Sequence, residues 1–96
     1  MNKIRNLGEF DLAFYCPGCK CSQRVTIKRN PEIPQGPLWT FNGDYEKPTI
    51  RASVLTQWNI KDKPHVCHSF ITDGKIEFLN DCTHELAGQT VEMEDY

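Results

Sequence analysis

Val66-Cys67-His68-Ser69-Phe70-Ile71-Thr72-Asp73-Gly74-Lys75-Ile76-Glu77-Phe78-Leu79 is the stretch that decides the fold class. Two runs rich in β-branched and aromatic residues flank Asp73-Gly74, a dipeptide suited to the positive φ angles of a type I′ turn. In the register that a two-residue loop imposes, Ile71 faces Ile76, Ser69 faces Phe78 and Cys67 faces Asn80. Alternation sends Phe70, His68 and Leu79 to the other side, so Cys67 and His68 point to opposite faces.

The same reading extends in both directions. Upstream, Lys61-Asp62-Lys63-Pro64 is a polar break, preceded from Pro48 to Trp58 by a run containing Thr49, Ile50, Val54, Leu55 and Thr56. Asn42-Gly43 is a turn dipeptide, and with strand-like Leu38 to Phe41 it predicts a second antiparallel pair. Asn30 to Pro37 carries Pro31, Pro34, Gly36 and Pro37, which cannot supply continuous backbone donors, so it reads as a loop. Phe10 to Tyr15 and Arg24 to Lys28 read as two strands joined by a knuckle at Cys16-Pro17-Gly18-Cys19. Downstream, Thr83 to Leu86 is expected to form one helical turn capped by Asp81 or Thr83 and stopped by Gly88, with Thr90 to Met93 as an edge strand. The acidic end Glu92, Glu94 and Asp95 reads as solvated. The expectation is a mostly β single domain over residues 1–96, a small antiparallel barrel or sandwich with a zinc knuckle and one short helical turn.

With 96 residues, 39% of them hydrophobic, and a mean hydropathy of −0.56, the apolar supply is modest and the core needs reinforcement. A net charge of −2 disfavours a general phosphate-binding surface. No apolar run reaches signal-peptide or transmembrane length, which predicts a cytoplasmic protein with no membrane contact. Five cysteines in such a compartment point to metal ligation rather than disulfides.

Cys16 and Cys19, with Pro and Gly between them, can present two thiolates to one ion, and Gly18 allows the tight backbone. The competing redox-dithiol reading lacks its expected helix. Two further ligands are sought among Cys21, Cys67, His68, Cys82, His84 and His65. Cys67-His68 and Cys82-Thr83-His84 fall at the same end of the predicted hairpin. Since Cys67 and His68 diverge, only one of them should ligate. The preferred zinc set is Cys16, Cys19, Cys67 and His84, with His68 or Cys82 as the alternatives, Cys82 and Cys21 otherwise buried thiols, and His68 otherwise a core imidazole. Four protein ligands would make the site structural, whereas three would leave room for water. Trp39, Phe41, Trp58 and Phe70 suit a core, with stacking on bases as the alternative. Asn42, Glu46, Lys47, Arg51, Ser53, Asp81, Thr83 and Gln89 can line a small polar site, but the sequence reads as offering no Ser-His-Asp order, no phosphate-gripping glycine loop and no paired carboxylates at a telling spacing, so a surface role is expected of each.

Cys16-Pro17-Gly18-Cys19-Lys20-Cys21, Trp39-Thr40-Phe41-Asn42-Gly43 with Lys47-Pro48-Thr49, Cys67-His68-Ser69-Phe70 and Asp81 to Thr90 together resemble a family of small phage and prophage proteins. Members sometimes carry the label ammonia monooxygenase, which these residues do not support. The resemblance, from about Phe14 to Val91, implies a phage gene product and metal binding. It assigns no activity. The expected function is a small zinc-binding phage accessory protein, acting in the host cytoplasm, that binds a host or phage macromolecule, a protein in preference to nucleic acid, with the countering of a host defence system as the role suggested for it, rather than an enzyme. The alternatives are a hydrolase with an open zinc site and His68 or Glu85 as general base, and a single-stranded nucleic-acid module using Trp39, Trp58, Lys20, Arg24, Lys28 and Arg29.

Overall fold

A computed structural model describes residues 2–33 and 35–96 of the chain; Pro34 of the expected loop lies outside the described residues. Among the described residues, eight strands form two antiparallel sheets. The first sheet has the order β1-β2-β3, with β1 Ile4–Leu7, β2 Asp11–Cys16 and β3 Cys21–Thr26. The second has the order β4-β5-β6-β7-β8, with β4 Thr40–Phe41, β5 Ile50–Ile60, β6 Lys63–Thr72, β7 Lys75–Phe78 and β8 Thr90–Glu92. Neither sheet closes into a barrel, so of the two expected shapes the sandwich is the one adopted.

The β6–β7 hairpin has the predicted register, with Ile71 opposite Ile76 and Ser69 opposite Phe78; the ladder ends there, before Cys67 and Asn80. Asp73 and Gly74 both have positive φ, 49° and 78°, as a type I′ turn requires. Lys61-Asp62 is more than a polar break. Its φ angles of 50° and 65° make it a second two-residue turn, which closes the long β5–β6 hairpin. That ladder shifts register between Ile50 and Val54. β1 carries little alternation and was not expected; it is held as an edge by pairing Ile4 with Phe14 and Leu7 with Asp11.

No helix forms among the described residues, so the helical turn expected at Thr83 to Leu86 is a correction. The physical reason is competition for the backbone: Thr83 N–H donates to Val66 O at 2.9 Å, and Val66 N–H donates to Thr83 Oγ1 at 2.9 Å. The segment is therefore tied to β6 at Thr83 and makes only isolated turns beyond it, Ala87 N–H to His84 O at 3.3 Å and Gln89 N–H to Leu86 O at 3.0 Å. Among the described residues, no helix is long and apolar enough to cross a membrane.

The inner faces of both sheets feed one core. Ile4, Leu12, Phe14 and Val25 from the first sheet meet Ile50, Val54, Ile71, Ile76 and Phe78 from the second, all buried. Cys16, Cys67 and Cys82 are buried in the same cluster, which places the sulfur-bearing residues inside the sandwich.

Candidate active site and metal centre

Strand alternation sets out the outer face of the second sheet. On β5, Ser53 and Leu55 share a face, and Leu55 pairs directly with His68 on β6. Ser53 lies one diagonal step from His68 and within the irregular stretch of β5, a position where bulges commonly re-aim a side chain. His68 Nε2 lies 2.9 Å from Ser53 Oγ, and His68 Nδ1 lies 2.9 Å from Asp81 Oδ2. An ionised carboxylate only accepts, so Nδ1 carries the ring proton and Nε2 presents a lone pair to the Ser53 hydroxyl. A serine, an imidazole and a carboxylate joined in this order make up the nucleophile, base and orienting group of acyl-transfer catalysis.

Each member is fixed by its element. Trp39 Nε1 donates to Ser53 O at 3.0 Å, and the same indole walls a cavity of about 380 Å³ that Phe10, Arg24, Arg29 and Pro37 also line. The backbone of His68 is gripped by Cys82: His68 N–H donates to Cys82 Sγ and the Cys82 thiol donates to His68 O, both at 3.2 Å. Leu79 N–H donates to His68 O at 2.9 Å, bringing the segment that bears Asp81 alongside β6. The His68 side chain is 22% exposed and that of Asp81 is 57% exposed, so the carboxylate faces water while the imidazole is sheltered.

On the inner face the cysteines gather. Cys16 Sγ lies 3.5 Å from Cys67 Sγ, and Cys16, Cys19 and Cys67 form a group compact enough to hold a metal ion. Cys19 N–H donates to Cys16 Sγ at 3.5 Å, and Gln23 Nε2 donates to Cys19 Sγ at 3.0 Å and to Cys67 Sγ at 3.6 Å. Gln23 is itself buried, and its Oε1 accepts from Thr56 Oγ1 at 3.2 Å, which fixes the amide with its nitrogen toward the sulfurs. Negative charge concentrates on Cys19: hydrogen bonds from the Cys16 and Cys67 thiols pull it down to about 2. Cys16 is pushed up, chiefly by its bond to Cys19, and Cys67 by its bonds to Cys16 and Cys19.

Cys67 also belongs to a second compact group with Cys82 and His84. The His84 ring stands edge-on to Phe78, with centroids 4.7 Å apart, and lies against Gly18 of the knuckle, where a built Cβ would collide with Cε1 and Nε2. His84 Nε2 is buried without a hydrogen-bond partner. Cys21 contacts Cys19 Sγ at 3.4 Å but is exposed, not the buried thiol expected of it; desolvation and the neighbouring Cys19 push it up to about 11.

Residues 4–79 match the family model BubE, described as a bacterial ubiquitination-like system serine protease. The chain belongs to the BubE family. No curated protein and no solved structure matches the chain.

Membership of BubE corrects two expectations. The phage family and its ammonia monooxygenase label find no support, and the accessory binding protein, with its zinc-hydrolase and nucleic-acid alternatives, gives way to a protease family. The chain does carry a Ser-His-Asp order, contrary to the reading of its sequence: Ser53, His68 and Asp81 are brought together by hydrogen bonds, and His68 is engaged with Ser53 and Asp81 on the face opposite to Cys67. The signal that could have found it was already in the alternation, which turned His68 outward and away from the sulfurs. The four residues of the expected metal set divide into Cys16, Cys19 and Cys67 in one group, and Cys67 with His84 in the other.

Proposed function

We propose that this chain is a serine protease of a bacterial ubiquitination-like system, with Ser53 as nucleophile, His68 as general base and acid, and Asp81 as the group that orients His68. The observation that carries the reading is the pair of 2.9 Å contacts running from Ser53 through His68 to Asp81, in a chain of the BubE family.

In the first half-reaction Ser53 Oγ forms a bond to the carbonyl carbon of an amide while His68 Nε2 takes the hydroxyl proton. His68 then delivers that proton to the leaving nitrogen as the C–N bond breaks, leaving an acyl ester on Ser53. In the second half-reaction water gives a proton to His68 and attacks the ester, and the proton returns to Ser53 as the carboxylic acid departs. Asp81 accepts the Nδ1 hydrogen bond throughout and favours the imidazolium form at each transfer. The substrate is an amide or peptide bond in a protein of that system. The cavity beside Trp39 is within one residue's contact of Ser53 and offers Arg24 and Arg29 to the substrate chain.

The test is reaction of the folded protein with a fluorophosphonate, read by intact mass and peptide mapping. A single adduct on Ser53, absent in Ser53→Ala and slowed in His68→Ala, supports the reading. A folded protein with no adduct, or one whose labelling ignores His68→Ala, overturns it.

For the cluster behind the sheet, zinc is the ion we assign. Thiolate sulfurs are soft donors, and bonds of about 2.3 Å in a tetrahedron put ligand sulfurs about 3.8 Å apart, close to the 3.5 Å between Cys16 and Cys67. Five free cysteines suit a reducing cytoplasm, which is the compartment this reading takes. Zinc enters neither half-reaction.

A further inference from the structure

We propose that Cys16, Cys19, Cys67 and His84 bind one zinc ion as a closed four-ligand site, and that this site holds His68 and Asp81 in catalytic register from behind the sheet. The second half of the proposal rests on the protease reading; the first does not.

His84 is assigned as the fourth ligand on two observations independent of the thiols. Its Nε2 is buried with no partner, a costly state for a polar atom in an apolar surrounding. Its ring also fills the space over Gly18, the residue before Cys19 in the knuckle, and lies in a group with Cys67 and Cys82. Cys82 is the rival, but its sulfur is already engaged on both sides by the backbone of His68. Ligation through Nε2 puts the ring proton on Nδ1, so the 3.2 Å bond from Leu86 N–H to Nδ1 must give way. The turn that follows His84 therefore responds to the metal.

The coupling follows from chain positions. Cys67 immediately precedes His68, and its side chain enters the core while His68 faces outward. Asp81 is three residues from His84, and the segment between them is bonded to β6 at Val66 and His68. One ion bound by Cys67 and His84 thus fixes the two backbone segments whose outward side chains make the His68–Asp81 contact. That contact cannot hold the segments by itself, because Asp81 is largely in water and exposed ion pairs contribute little. Cys16 and Cys19 tie the same ion to β2 and the knuckle, so the first sheet braces a catalytic set to which it contributes no residue.

The experiment uses the full chain, purified with its metal and compared with Cys67→Ser, Cys82→Ser, His84→Ala and His84→Cys. Zinc content is measured by elemental mass spectrometry, and cobalt substitution gives the visible spectrum of a tetrahedral thiolate site. Ring nitrogen and proton NMR of His68 reports its hydrogen bond to Asp81. The expected result is one zinc per chain, retained by Cys82→Ser and by His84→Cys. In His84→Ala zinc affinity falls more than about 100-fold, beyond what loss of an outer-shell partner causes. Removing zinc with a chelator should erase the His68 Nδ1 proton signal and slow fluorophosphonate labelling together, and zinc, not magnesium, should restore both. Full zinc affinity in His84→Ala, or its loss in Cys82→Ser alone, overturns the ligand set. A zinc-free protein whose His68 signal is unchanged overturns the coupling. If Ser53 never reacts, the protease reading fails while zinc content and the His68 signal still decide this proposal. Should His84→Ala not fold, the cobalt spectrum of His84→Cys decides, since only a ligand position shifts it toward four sulfurs.

Discussion

Cys67 and His68 are neighbours on β6 whose side chains face opposite sides of the sheet, the sulfur 3.5 Å from Cys16 in the core and the imidazole 2.9 Å from both Ser53 and Asp81. Asp81 and Cys82 repeat the relationship at the end of the hairpin, with an exposed carboxylate followed by a buried thiol. A single layer of backbone therefore separates two chemistries, and substitutions on one side should be read out on the other.

Ser53→Ala and His68→Ala should each abolish amide cleavage, with kcat losses approaching the about 10⁶-fold seen when a triad nucleophile or base is removed. Asp81→Asn should cost less than the about 10⁴-fold typical of a buried triad aspartate, because the Asp81 side chain is 57% exposed and water can partly replace it. Steady-state kinetics on one peptide substrate would check the ranking; a loss for Asp81→Asn equal to that for Ser53→Ala would contradict it.

Trp39→Phe keeps the ring wall but removes the donor to Ser53 O. A net hydrogen bond contributes about 0.5–1.5 kcal/mol to folding stability, so the denaturant midpoint should fall accordingly, and acylation should slow by no more than the equivalent, roughly 2- to 13-fold. Measuring the fluorophosphonate rate alongside the denaturant midpoint separates the two effects.

Gly18→Ala places a methyl group against the His84 ring. The φ of Gly18 is not positive, so alanine meets no backbone penalty there and the cost is steric, about 1–3 kcal/mol by analogy with overpacked cores. The double mutant Gly18→Ala with His84→Ala should recover that steric part. Thermal unfolding of the four proteins gives the coupling energy, and strict additivity would show that the ring and the knuckle do not touch.

Phe78→Ala should destabilise by about 3–5 kcal/mol. Phe78 is 1% exposed and supports the edge of His84, so the loss combines a cavity with a loosened ring. Urea unfolding would measure it, and Phe78→Leu should cost clearly less.

Gly74→Ala tests the turn that sets the β6–β7 register. Gly74 has a φ of 78°, and a Cβ would come within 3.2 Å of Glu46 O and 3.3 Å of Lys47 Cα, both backbone atoms that yield poorly. A loss of about 1–2 kcal/mol from the left-handed conformation alone is expected, with more from crowding. A variant as stable as the parent would place the turn elsewhere.

The strands were legible because alternation and turn dipeptides act locally: the β6–β7 register, the two strands around the knuckle and the opposed faces of Cys67 and His68 all follow from spacing. β1 was not, since Ile4 to Leu7 has no alternating pattern and owes its strand form to pairing with β2. Thr83 to Leu86 misled because its helix signals are weaker than the backbone acceptors that β6 offers it. The proposed catalytic set was hidden for a different reason. Ser53, His68 and Asp81 are residue types common on any surface, and only the diagonal offset across β5 and β6, set within a register shift, converts them into a site.

Distances along the chain carry one more implication. Ser53 and Asp81 lie 15 and 13 residues from His68, whereas the contact between Cys16 and Cys67 closes 51 residues. Short closures cost less chain entropy and form sooner. A newly made chain should accordingly bring its reactive groups together through neighbouring hairpins first, and bind the two sheets to each other last. The final event in its maturation is then the locking of an already sketched machine.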